Sequence, residues 1–239
     1  MRMLPALALI GASPLAIAQS PGPPTPPPST IQVTGQAKVS AAPDRVYIEI
    51  GVTAQAQKAD AAASQNARRL SAVIAAVKQA AGSGAQLTTT EYSIGPNYRY
   101  PHDGGTPTIV GYTASNVVRV RLDDLRRIGA VIDAATQAGS NNVQDLRFSL
   151  RDEQAPRSEA LREAARNARQ DADALADALG LRIVRVLSAD EQSPVSVPRP
   201  VYRQFKLAAA AAAPTPVEPG TIDVDASVTL TVEVAPGKR

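Results

Sequence analysis

The sequence predicts an α+β fold, mainly antiparallel sheet with three helices, in the order ββ-α-ββ-α-β-α-β-loop-β. Apolar residues alternate with polar ones along several stretches, the period of a strand with one wet face. Along three others they recur at steps of three and four, the period of a helix with one dry stripe. Each of those three stretches runs into a glycine, the residue that most readily takes the left-handed turn at a helix C-terminus.

Order begins at Ile31, where residues 31–35 alternate. In residues 45–52, Val46, Ile48, Ile50 and Val52 share one face, with Arg45, Tyr47 and Glu49 on the other. Ala42, Pro43 and Asp44 read as a turn between the two, since proline presets φ and aspartate bonds its own backbone. A β-hairpin is the expected result. Residues 58–81 then change to helical period, with Ala63, Ala67, Leu70, Ile74, Val77 and Ala81 as the stripe and Gly82 and Gly84 as the stop. So many alanines predict a helix lying close to whatever it covers.

Residues 87–100 and 109–122 return to strand, joined by the polar turn 101–107, and predict a second, long hairpin. Asp123 and Asp124 can cap the next helix, with the stripe Leu125, Ile128, Ile132 and Ala135 and a stop at Gly139. Val143, Leu146, Phe148 and Leu150 fit a short strand. Residues 156–179 form the strongest helix, with Pro156 in its first turn and Gly180 at its end. Its expected stripe is Leu161, Ala164 or Ala165, Ala168, Ala172, Leu175 and Leu179. Its outer face offers the pairs Glu159–Arg162, Glu163–Arg166 and Arg169–Asp173. Ile183, Val184, Val186 and Leu187 predict a buried strand, residues 193–220 a mobile loop or projecting arm, and residues 222–234 a last strand with one solvated face.

The first eighteen residues point to a compartment. Arg2 supplies a positive start, residues 4–15 an uncharged apolar stretch, and Ala16 to Ala18 a small-x-small cleavage signature. A secretory signal peptide cut after Ala18 is expected, followed by a Pro-rich disordered linker over 19–30 and one domain over 31–235. The apolar run is shorter than the roughly 20 residues a spanning helix needs, and Gly11 and Pro14 interrupt it. No integral membrane span is expected. Periplasm is the predicted location, with secretion as the alternative.

Composition narrows the chemistry. There are no cysteines, which excludes disulfides, thiol nucleophiles, Cys-ligated zinc and acyl-cysteine anchors. Loss of Arg2 with the leader lowers the formal net charge from +3 to +2, and arginine and acid alternate along the helices rather than clustering. Nucleic-acid binding is not expected. The sequence has no nucleophile elbow, phosphate loop or dinucleotide fingerprint. The single histidine, His102, lies in a Gly/Pro turn and reads as solvated; with Asp103 it offers too few ligands for a metal. Asp152 and Glu153 read as favourable charge at a helix start. No catalytic residue, cofactor or metal site is predicted, and any ligand is unknown.

Tyrosines are the exception to this blandness. Four of the six, Tyr92, Tyr98, Tyr100 and Tyr112, fall in the long hairpin, and Arg99 lies between two of them. This group could pack as ordinary strand residues, form a subunit interface, or grip a flat or anionic ligand.

Several blocks in order resemble the SIMPL-domain family of bacterial exported proteins. They are Val33-Thr-Gly35, Pro43-Asp44 leading into Ile50-Gly-Val52, Gly95-Pro96-Asn-Tyr98 and Gly111-Tyr-Thr-Ala-Ser-Asn116. They continue through Ile132-Asp-Ala-Ala135 to Gly139, Phe148-Ser-Leu150, Glu159-Ala-Leu161 to Leu179-Gly180, and Pro219-Gly-Thr-Ile222-Asp-Val224. The resemblance implies a similar α+β fold, an envelope location, homo-oligomers and a link to lowered oxidative damage, and it implies no catalytic residues. The only methionines are Met1 and Met3, so a chain cut after Ala18 has no evident redox centre, and any protection would be indirect. A non-enzymatic, self-associating envelope protein is the first expectation; a periplasmic small-ligand or peptide binding module is the alternative.

Overall fold

The computed structural model describes residues 28–102, 104–192 and 215–237; residues 1–27, on which the expected leader and most of the linker fall, Asp103, residues 193–214 and residues 238–239 lie outside the described residues. The elements are β1 (Thr30–Ala41), β2 (Arg45–Ala56), α1 (Ala59–Ala81), β3 (Gln86–Arg99), β4 (Thr108–Leu122), α2 (Ile128–Gln137), β5 (Asn142–Ser149), α3 (Gln154–Ala178), β6 (Leu181–Gln192) and β7 (Ile222–Pro236). A single 3-10 turn, Leu125–Arg127, leads into α2. This is the predicted order and class.

The strands form two antiparallel sheets, β1-β7-β6 and β3-β4-β2-β5. The expected β1–β2 hairpin does not form. β1 pairs along its whole length with β7, from Thr30 opposite Glu233 to Ala41 opposite Ile222, while β2 pairs with β4 and β5. The physical reason lies in the three-residue link. Pro43 is buried and has no N–H to give a turn, and Asp44 is spent on β5, its N–H donating to Ser149 O at 3.3 Å and its carboxylate accepting from Arg151 N at 2.7 Å. The chain therefore passes from one sheet to the other. The second predicted hairpin, β3–β4, does form.

α1 and α2 cover one face of the four-stranded sheet. Val46, Ile48, Ile50 and Val52 of β2, Val118, Val120 and Leu122 of β4, Val73 and Val77 of α1, and Ile128 and Val131 of α2 make the main core. The α1 stripe is displaced by one residue at its N-terminal half: Ala62 and Asn66 are buried, not Ala63 and Ala67. Asn66 is tolerated inside because its amide donates to Val52 O at 2.6 Å and Ala114 O at 3.1 Å, tying the helix to two strands.

α3 covers the three-stranded sheet chiefly with alanine, with Leu161 half-buried beside it. Ala160, Ala164, Ala168, Ala172 and Ala176 are its buried residues, at steps of four. Leu175 and Leu179, predicted inside, are exposed at 43% and 60%. So small a stripe lets the helix backbone approach β1 until a Cβ on Gly35 would lie 2.2 Å from both Ala164 O and Ala168 N. Asn167 fixes the approach by donating to Gln36 O at 2.8 Å. Glu159–Arg162 and Arg169–Asp173 pair as expected, but Arg166 pairs with Glu159 rather than Glu163. β6 is an edge strand and not the buried strand expected: Val184, Val186 and Leu187 are exposed. Two bulges interrupt its pairing, a device that blunts free edges.

Asp152 accepts from Gln154 N and Ala155 N at the start of α3, the helix-start role read from the sequence. Among the described residues no helix is long and apolar enough to cross a membrane.

Candidate functional site

β3 and β4 form the longest pairing, and they outrun the sheet. β2 ends at Ala56, opposite Tyr112, so residues 97–99 and 108–111 continue as a two-stranded ribbon with no third strand beside them. β3 is also the sheet edge. Directly opposed residues of an antiparallel pair point to the same side, which sorts the ribbon into two faces. One face continues the core side of the sheet: Tyr92 opposite Asn116, Ile94 opposite Ala114 and Pro96 opposite Tyr112. A register shift between Asn97 and Tyr98 leaves Val110 of β4 as the extra residue, so Tyr98 stays on the face of Tyr92, Ile94 and Pro96 and Ile109 stands opposite it.

Of the five residues singled out from the sequence, Tyr92, Tyr98 and Tyr112 fall on the core-side face. Tyr100 lies beside Tyr98, their ring centroids 6.4 Å apart and the planes tilted by 48°. Arg99 stands opposite Thr108. Exposure is high throughout: Tyr92 57%, Tyr98 49%, Tyr100 71%, and Ile109, not singled out from the sequence, 51%. Ile94 and Val110 add to the same surface. One polar contact of the arm is internal, Thr113 Oγ1 donating to Asn97 Oδ1 at 2.9 Å. Chemically it can offer flat apolar and phenolic surface together with unpaired strand edges, which suits packing against another chain.

Sequence reading missed a second exposed apolar surface, where Leu175 and Leu179 of α3 stand near Val184, Val186 and Leu187 of β6 in sequence order across the Gly180 turn. The signal was present. Five alanines at strict four-residue spacing already make a complete stripe, which leaves the leucines outside it. His102 is exposed in the turn at the tip of the hairpin.

Comparison with known proteins extends this. Over residues 31–232 the chain matches the model of SIMPL, described as a protein of unknown function (DUF541). It is 33% identical over 232 residues to the 26 kDa periplasmic immunogenic protein of Brucella melitensis, covering 95% of this chain and 93% of that one. It is 26% identical over 207 residues to the uncharacterized protein YggE of Escherichia coli K12, covering 86% and 83%. Among solved structures, that of AtUAH in complex with glyoxylate aligns with 55% of this chain at 16% identity and a TM-score of 0.27, an overlap too slight to bear on fold or function. The chain belongs to the SIMPL family.

Proposed function

We propose that this is a non-enzymatic protein exported to the periplasm, where it self-associates through the β3–β4 arm. The observation that supports it is the ribbon itself. An isolated two-stranded ribbon is marginally stable in water, and this one exposes tyrosines and aliphatic side chains. A second copy of the chain, bringing the same tyrosines, arginine and free edge, would cover it. Export rests on the leader-like residues 1–18 and on the printed name of the Brucella relative. Protection against oxidative or envelope stress, if the protein contributes to it, is indirect, because residues 19–239 contain neither cysteine nor methionine.

Light scattering across a range of concentrations tests this directly. A discrete oligomer that shrinks when residues 98–108 are deleted is the expected result. An unchanged native mass in the deletion variant, with its circular dichroism intact, would remove the arm as the interface.

A further inference from the structure

The sheet face turned away from α1 carries an ordered grid of charge that the arm does not explain. Its residues come from three neighbouring strands, so cross-strand register sets their places. In one row Arg121 of β4 and Arg147 of β5 stand on either side of Tyr47 of β2. In the next row Arg119 and Asp145 flank Glu49 in the same way. Like charges directly opposite one another destabilise a sheet, yet Glu49 faces Asp145.

Among the described residues only part of this charge is neutralised. Arg119 donates to Glu49 Oε1 through Nε at 3.1 Å and through Nη2 at 2.6 Å. Asp145 and Arg147, two residues apart on one face of β5, make no ion pair with each other. The Nε of Arg121 is buried with no hydrogen-bond partner among the described residues. Tyr47, Glu49, Arg119, Asp145 and Arg147 line a concavity of about 410 Å³, room for a small molecule.

The two rows select the ligand. A simple anion would meet the guanidiniums of one row but the carboxylates of the next, and a simple cation the reverse. A polyanion is disfavoured for the same reason. Rows on one strand are two residues apart, which is about 7 Å. We propose that this concavity binds a small zwitterion whose charges are separated by about that distance, a short peptide with free termini or an ω-amino acid. Its carboxylate lies on Arg147, its ammonium on Asp145 and Glu49, and its body on the ring of Tyr47. The site is on the sheet face and does not depend on the proposed self-association.

Glycylglycine, titrated by calorimetry into the purified protein at constant ionic strength, tests this, with acetate and methylammonium as single-charge controls. Saturable glycylglycine binding, weakened about tenfold in both Arg147→Gln and Asp145→Asn and matched by neither control, is the expected result. Both positions are exposed, so both variants should fold, which circular dichroism verifies. Arg185→Gln on β6, in the other sheet, should bind as the parent does. No saturation, equal affinity for acetate, or binding unchanged in either Arg147→Gln or Asp145→Asn would overturn the proposal.

Discussion

Against the four-stranded sheet, α1 and α2 bury Val73, Val77, Ile128 and Val131 over a floor of valine, isoleucine and leucine. Against the three-stranded sheet, α3 buries five alanines over Gly35 and Ala37 of β1 and the valines of β7. The first contact is held by apolar area, the second by closeness. Large side chains tolerate small adjustments because rotamers can shift to fill space. Backbone resting on backbone has no such slack, because nothing flexible lies between the surfaces. The price of the second solution is coverage: a helix drawn down onto β1 and β7 leaves the flank of β6 and its own Leu175 and Leu179 in solvent.

The largest effect should therefore come from the smallest substitution. Gly35→Ala places a methyl 2.2 Å from two backbone atoms of α3, and we expect a loss of about 3 kcal/mol or more in urea unfolding. Wild-type stability in that variant would break the comparison. Asn66→Ala probes the other sheet, where one amide holds two strand carbonyls. Leaving Val52 O and Ala114 O unpaired should cost about 2 kcal/mol, read by the same unfolding curve.

The smallest effect is electrostatic. Asp124 is held down to about 2 by its hydrogen bond to Arg126, with its backbone bond to the same residue and Arg127 contributing. Asp123 is likewise held below the ordinary carboxylate range, chiefly by Arg45. A carboxylate with a lowered folded-state pKa stabilises fully above its unfolded value, near 4, and loses that contribution as pH falls towards 2. A melting-temperature profile should fall over that window, and Asp124→Asn should flatten part of the fall while remaining slightly less stable at neutral pH. Identical profiles for the two proteins would show that the Asp124 cluster adds nothing, as is common for exposed pairs.

Element order was legible because period and punctuation are local properties of the chain. Partnership was not. The β1–β2 turn signal at Ala42-Pro43-Asp44 is genuine as a change of direction, but the partner of β1 lies almost two hundred residues away, as with Thr34 and Thr229. Polarity misled the α1 stripe: a reader seeking apolar residues skips Asn66, and the frame slips by one. On α3 the opposite occurred, as Leu175 and Leu179 drew the stripe towards themselves although the alanines hold the closer contact. The hairpin tyrosines were visible as a group, but the register shift after Asn97, which brings Ile109 opposite Tyr98, is one that no spacing reveals. The Arg121, Tyr47 and Arg147 row is assembled from three distant strands and could not have been read from one.

The pairing of β1 with β7 also governs when the molecule can be finished. The first strand of the domain waits for the last, so a nascent or partly threaded chain lacks the central strand of this sheet until its final residues emerge. For the exported protein proposed above, that delay keeps the three-stranded sheet open until β7 is available.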